Sequence, residues 1–124
     1  METKLAVVAL SALAQETRLA VFRRLVQAGP EGVAAGELAR TLGVVPNTMS
    51  AHLNVLGHAG LVRSRRVSRS IFYTANYDQM SELLSYLVQD CCNGSPEVCA
   101  PLAMLVRDAA CCASDQHQPL TETA

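Results

Sequence analysis

Ala35-Gly36-Glu37-Leu38-Ala39-Arg40-Thr41-Leu42-Gly43-Val44-Val45-Pro46-Asn47-Thr48-Met49-Ser50-Ala51-His52-Leu53-Asn54-Val55-Leu56 is the stretch that decides the fold. Leu38, Ala39 and Leu42 form an apolar stripe at helical spacing and predict a short helix over 35–42. Gly43 ends that helix after two turns. Pro46 stands where a second helix takes its first residue, a position at which its missing N–H is harmless. From there Met49, Leu53 and Leu56 fall at i, i+4 and i+7, which predicts a helix over 46–56 with Gly57 and Gly60 at its exit. Away from that apolar face the helix presents Asn47, Thr48, Ser50, Ala51 and Asn54, small side chains gathered near its start.

Upstream, Leu5, Val8, Ala9, Ala12 and Leu13 recur at helical spacing and predict a helix over 3–13. A helix over 16–28 follows, with Leu19, Phe22 and Val26 on one face and Leu25 beside them, and Gly29-Pro30 stops it. Downstream the period changes. Residues 61–66 and 70–74 are rich in β-branched or aromatic side chains and flank Val67-Ser68-Arg69, a hairpin without the glycine or asparagine of the strongest turn signal. Residues 78–90 return to helix on Met80, Leu83, Leu84, Leu87 and Val88. After the turn Asn93-Gly94-Ser95-Pro96, a last helix is expected over 96–112 on Val98, Leu102, Leu105, Val106 and Ala109, with Ser95 as N-cap and Pro96 at N1. The tail 113–124 is polar.

Two short helices joined at a glycine and followed by a hairpin describe a winged helix-turn-helix, a mainly α fold with a small β-hairpin. A chain of 124 residues, half of them apolar and 17% charged, suits one such domain and excludes a charged disordered chain. Its expected extent is 1–112, with a reading core over 14–76. No run of about 18 apolar residues exists, so no membrane span is expected. Residues 1–12 lack the basic start and cleavage site of a signal peptide, so the expected location is cytoplasmic.

The net charge of −1 hides two opposed halves, +5 over residues 1–76 and −6 over 77–124. Nine of the ten cations are arginine, the better donor to phosphate and guanine edges. Arg18, Arg23, Arg24 and Arg40 read as scattered solvated charges. Arg63, Arg65, Arg66 and Arg69, four arginines in seven positions of the hairpin, do not. Small polar side chains at the start of helix 46–56 suit entry into the major groove of double-stranded DNA, and the hairpin arginines would meet the backbone or the adjacent minor groove.

Glu37-Leu38-Ala39-Arg40-Thr41-Leu42-Gly43, Asn47-Thr48-Met49-Ser50-Ala51-His52-Leu53-Asn54-Val55-Leu56 and Ala59-Gly60-Leu61-Val62 together resemble the ArsR/SmtB family of metalloregulatory repressors. Leu13-Ala14-Gln15-Glu16-Thr17-Arg18 looks like that family's entry into its second helix. The resemblance covers about residues 5–90. It implies a homodimer that represses an operon until a metal or metalloid ion releases it from DNA. It also implies that His52, at a position where the family commonly carries histidine, faces DNA or packs locally. Two sensor patterns of the family are missing. Its Cys-x-Cys pair falls on Ala34 and Gly36, and its zinc site on the last helix pair would need a histidine that helix 78–90 lacks.

None of the five cysteines lies before residue 91. In a cytosolic chain such clustering reads as metal ligation or redox chemistry. Cys91 and Cys92 at one helix end, a tight turn, and Cys99 in the first turn of the next helix can bring three sulfurs together. Three thiolates without a fourth ligand suit pyramidal As(III) or Sb(III), whereas zinc prefers a tetrahedral set of four. The trio also looks like the arsenite-responsive branch of the family, with its C-terminal site. Cys111 and Cys112 read either as small helix-end residues or as additional thiols for a methylated arsenical, cadmium or lead. The expected inducer is As(III) or Sb(III), with no organic cofactor.

Helices 3–13 and 78–90, within a dimerisation and metalloid-sensing part of 3–13 and 78–112, would join two chains, placing recognition helices about 34 Å apart on an inverted repeat. Rival readings are a sensor of another soft ion (Cd, Pb, Zn), a thiol oxidation sensor, and, from another class, a thiol redox or metal-carrier protein. Against the last stands the absence of any Cys-x-x-Cys or βαβ pattern. No nucleophile–base set, phosphate loop or carboxylate pair suggests an enzyme.

Overall fold

The computed structural model describes residues 1–89. In chain order these form α1 (Thr3–Leu13), α2 (Glu16–Ala28), a 3-10 turn (Gly29–Glu31), β1 (Val33–Ala34), α3 (Ala35–Leu42), α4 (Pro46–His58), β2 (Val62–Val67), β3 (Ser70–Ala75) and α5 (Tyr77–Val88). The three strands make one antiparallel sheet in the order β1-β3-β2. The helix expected over 96–112, the end of the one expected over 78–90, the cysteines and the tail lie outside the described residues.

The turn between α3 and α4 is built as its sequence asks. Gly43 takes the left-handed conformation at φ 66°, and the Val44 N–H closes back on the Ala39 carbonyl at 2.9 Å. That pairing satisfies a helix-end carbonyl and turns the chain sharply into α4. Leu38 of α3 and Met49, Leu53 and Leu56 of α4 are all essentially inaccessible, and they meet Val21, Leu25 and Leu61 in one apolar core. Asn76 closes the other side. Its amide donates to the Gly60 carbonyl at 2.9 Å, while its Oδ1 accepts from the Gln79 N–H at 3.3 Å and so caps α5.

Several boundaries differ from the sequence reading for local reasons. α4 runs through Gly57 to His58, because Ala59 is buried and the apolar face extends one turn beyond Leu56. The hairpin turn is two residues, Ser68-Arg69, since Val67 pairs with Ser70; Ser68 takes φ 58° in place of a glycine. β1 is two residues long and too short to carry a period. In α2 the buried residues are Val21, Phe22 and Leu25, while Leu19 is exposed.

α1 reverses the usual arrangement. Its buried residues are the alanines Ala6, Ala9 and Ala12, whereas Leu5, Val7, Val8 and Leu10 stand exposed. Small side chains let α1 lie close against its neighbours, and its apolar bulk is left outside. On α5 Leu83 is buried and Leu84 exposed.

Candidate nucleic-acid interface

α4 places its candidate contacts on one open face. Asn47, Thr48, Ser50, Ala51 and Asn54 are all exposed, and His52 is half-buried. The face opposite is anchored by Met49, Leu53 and Leu56, each at most 1% exposed, so the stripe rides on a helix that cannot roll without opening the core. No acidic residue interrupts α4.

The wing sorts its arginines into two kinds. All four are exposed. Arg63 lies opposite Thr74 and Arg65 opposite Phe72, on the sheet face opposite to Val62 and Ala75. Arg65 donates to the Glu31 carbonyl at 3.2 Å and stands 5.6 Å over the Phe72 ring. Arg63 pairs with Asp78 at 3.6 Å. Arg66 and Arg69, nearer the tip, have no ion pair or hydrogen bond among the described residues.

Two further cations behave differently from each other. Arg40 pairs loosely with Glu37 at 3.9 Å on the surface of α3. Arg18 departs from the sequence reading as a solvated charge. It is half-buried, and its Nε donates to the Ala12 carbonyl at 2.6 Å. It thereby ties the end of α1 to the start of α2. The one sequence signal for this was its place in the first turn of a helix that opens directly after another.

Among the described residues no group of three His, Cys, Asp or Glu side chains is placed to hold a metal. His52 and His58 therefore form no such site with the acids described. Cys91, Cys92, Cys99, Cys111 and Cys112 lie outside the described residues.

An exposed recognition helix behind a three-residue turn, flanked by an arginine-bearing hairpin, defines a winged helix-turn-helix protein. A helix-turn-helix domain family matches residues 13–65. The transcriptional activator HlyU of Vibrio cholerae is 32% identical over 82 residues, 66% of this chain and 73% of HlyU. A HlyU structure superposes with a TM-score of 0.56 at 35% identity, covering 70% of this chain and 97% of that one. A structure of reduced HlyU gives 0.54 at 32% identity, covering 70% and 92%. The nodulation protein NolR of Rhizobium meliloti is 35% identical over 78 residues, 63% of this chain and 62% of NolR. Mb0332 of Mycobacterium bovis, a homodimeric winged helix-turn-helix DNA-binding domain, gives a TM-score of 0.58 at 29% identity over 70% of this chain and 80% of its own. The chain belongs to the ArsR-like winged helix-turn-helix transcriptional regulators.

Proposed function

We propose that this chain is a homodimeric repressor that reads an inverted-repeat operator and leaves it when As(III) or Sb(III) is held by the thiolates of Cys91, Cys92 and Cys99. The observation that carries the DNA half is the continuous exposed stripe of α4 beside two wing arginines that no group among the described residues engages. The polyanion of duplex DNA supplies partners for both. Mb0332 is a homodimer, and the exposed apolar bulk of α1 with Leu84 of α5 supports the same assembly here. The domain then extends over 1–112, with 3–13 and 78–112 serving assembly and sensing.

The sensing half rests on the distribution of thiols: five cysteines after residue 90 and none in the DNA-reading part. Three soft ligands select a soft ion, and a pyramidal metalloid needs no fourth. Native mass spectrometry of the reduced protein with arsenite, antimonite, zinc and cadmium tests this. Two metalloid ions per dimer are expected, with zinc and cadmium bound less tightly. A dimer that takes up zinc and no metalloid refutes the assignment.

One observation favours a second reading. A solved structure of HlyU is of the reduced protein, and the vicinal thiols of this chain would respond to oxidants. Under this reading oxidation, not a metalloid, releases the DNA.

A further inference from the structure

Val45 is the most exposed large apolar side chain among the described residues, at 65%. It is also the N-cap of α4, with φ −60° and ψ 138°, and it makes no capping hydrogen bond. Stability argues against valine on both grounds. Serine, threonine, aspartate or asparagine here would satisfy one of the first N–H donors of α4, and branched apolar residues are among the poorest caps. The core makes no demand either, because Val44, one position earlier, already packs against it.

The position is nevertheless rigid. Pro46 at N1 confines the residue before it to extended backbone, and a β-branched side chain has little χ1 freedom. The result is a preorganised apolar knob at the leading end of the recognition helix, separated from Asn47 and Thr48 only by Pro46. In the major groove the apolar group on a base edge is the C5-methyl of thymine.

We infer that Val45 is a specificity-determining residue that reads a thymine methyl in each operator half-site. The inference rests on the DNA-reading function proposed above. It adds that the half-site carries a thymine whose methyl group, rather than its hydrogen-bonding edge, is recognised. The surrounding polar stripe and the wing arginines favour DNA over an apolar protein surface as the occupant.

The test begins with selection of bound sequences from random duplex DNA by the full chain, followed by replacement of single thymines with deoxyuridine, which lacks the methyl. In wild type, one thymine per half-site loses about fourfold in affinity on replacement, the worth of one buried methyl group. Val45→Ala binds the thymine and deoxyuridine duplexes equally. Val45→Ser also loses the discrimination while its thermal midpoint rises, because a capping hydroxyl is restored. A wild type indifferent to every replacement, or a Val45→Ala variant with undiminished discrimination, overturns the inference and leaves DNA reading standing. Failure to bind any duplex at low salt overturns the DNA-reading function itself, and this inference with it.

Discussion

Arg63 reaches Asp78 across 3.6 Å, so that the base of the wing strand β2 is held by the first turn of α5, while Arg66, three residues farther out, has no such partner among the described residues. Position along one strand thus separates an arginine used by the fold from one left for a ligand. Both partners of the pair are largely exposed, at 64% and 88%, which keeps its contribution to stability below about 1 kcal/mol.

Substitution of the two kinds of arginine should therefore read out differently. Arg66→Ala and Arg69→Ala are expected to weaken binding to all duplexes alike and to lower the slope of log affinity against log salt by about 1 each. Neither should move the urea midpoint. Asp78→Asn should leave stability nearly unchanged and raise DNA affinity, because it frees Arg63 from its anion. Anisotropy titrations at three salt concentrations decide this, and an unchanged salt slope in Arg66→Ala and Arg69→Ala would exclude the wing from the interface.

Two glycines should respond with opposite signs to the same change. Gly32 sits at φ 80° before β1, and a Cβ there would lie 2.5 Å from the Tyr73 carbonyl oxygen and 2.7 Å from the Thr74 methyl. Gly32→Ala should destabilise by about 3 kcal/mol or more, since neither the backbone angle nor the strand can give way. Gly57 lies within α4 with open space around its Cα. Gly57→Ala should stabilise by about 0.5–1 kcal/mol through helix propensity and chain entropy. Urea unfolding with unchanged m-values checks both, and a Gly32→Ala midpoint equal to wild type would contradict the close approach.

Sequence pattern carried the helix-turn-helix because each of its signals was local. Gly43, Pro46 and the Met49/Leu53/Leu56 spacing each act within one or two turns, and all appear as read. Signals that depend on distant partners were not legible. Nothing in the sequence says that Leu5 and Val8 face outward while Ala6 and Ala9 are buried, because periodicity ranks positions by apolar bulk and not by the space a neighbour leaves. Nor could it show that Arg65 bonds a carbonyl 34 residues away, since that contact exists only after β1 and β2 flank β3. In the candidate site the exposed stripe was legible from the core spacing alone, whereas the division among the hairpin arginines needed the strand register.

The outward-facing apolar residues of α1 and α5 yield a third prediction. Leu5, Val8 and Leu84 are 52%, 46% and 46% exposed, which the fold of a single chain does not require of leucine or valine. Leu84→Glu and Leu5→Glu should each shift the protein from dimer to monomer in sedimentation equilibrium without unfolding it. DNA affinity should fall with dimerisation, because a single head contacts one half-site. Dimers that persist in the double variant Leu5→Glu/Leu84→Glu would place the assembly surface elsewhere.

Release from DNA provides the last prediction, and linkage makes it two-sided. If a metalloid on Cys91, Cys92 and Cys99 weakens operator binding by a given factor, operator DNA must weaken metalloid binding by the same factor. Couplings of this kind amount to about 1–3 kcal/mol, or roughly 5- to 150-fold in affinity. In anaerobic, fully reducing buffer arsenite should therefore release the wild type, and bound operator should raise its arsenite Kd to an equal extent. Cys91→Ser, Cys92→Ser and Cys99→Ser should each abolish both effects while retaining DNA affinity, since none belongs to α4 or the wing. The double variant Cys111→Ser/Cys112→Ser should behave as wild type. Release that persists in all three single variants removes these thiols from the mechanism. Release that occurs only with an oxidant present transfers the function to thiol oxidation, because a metalloid ligand acts without one.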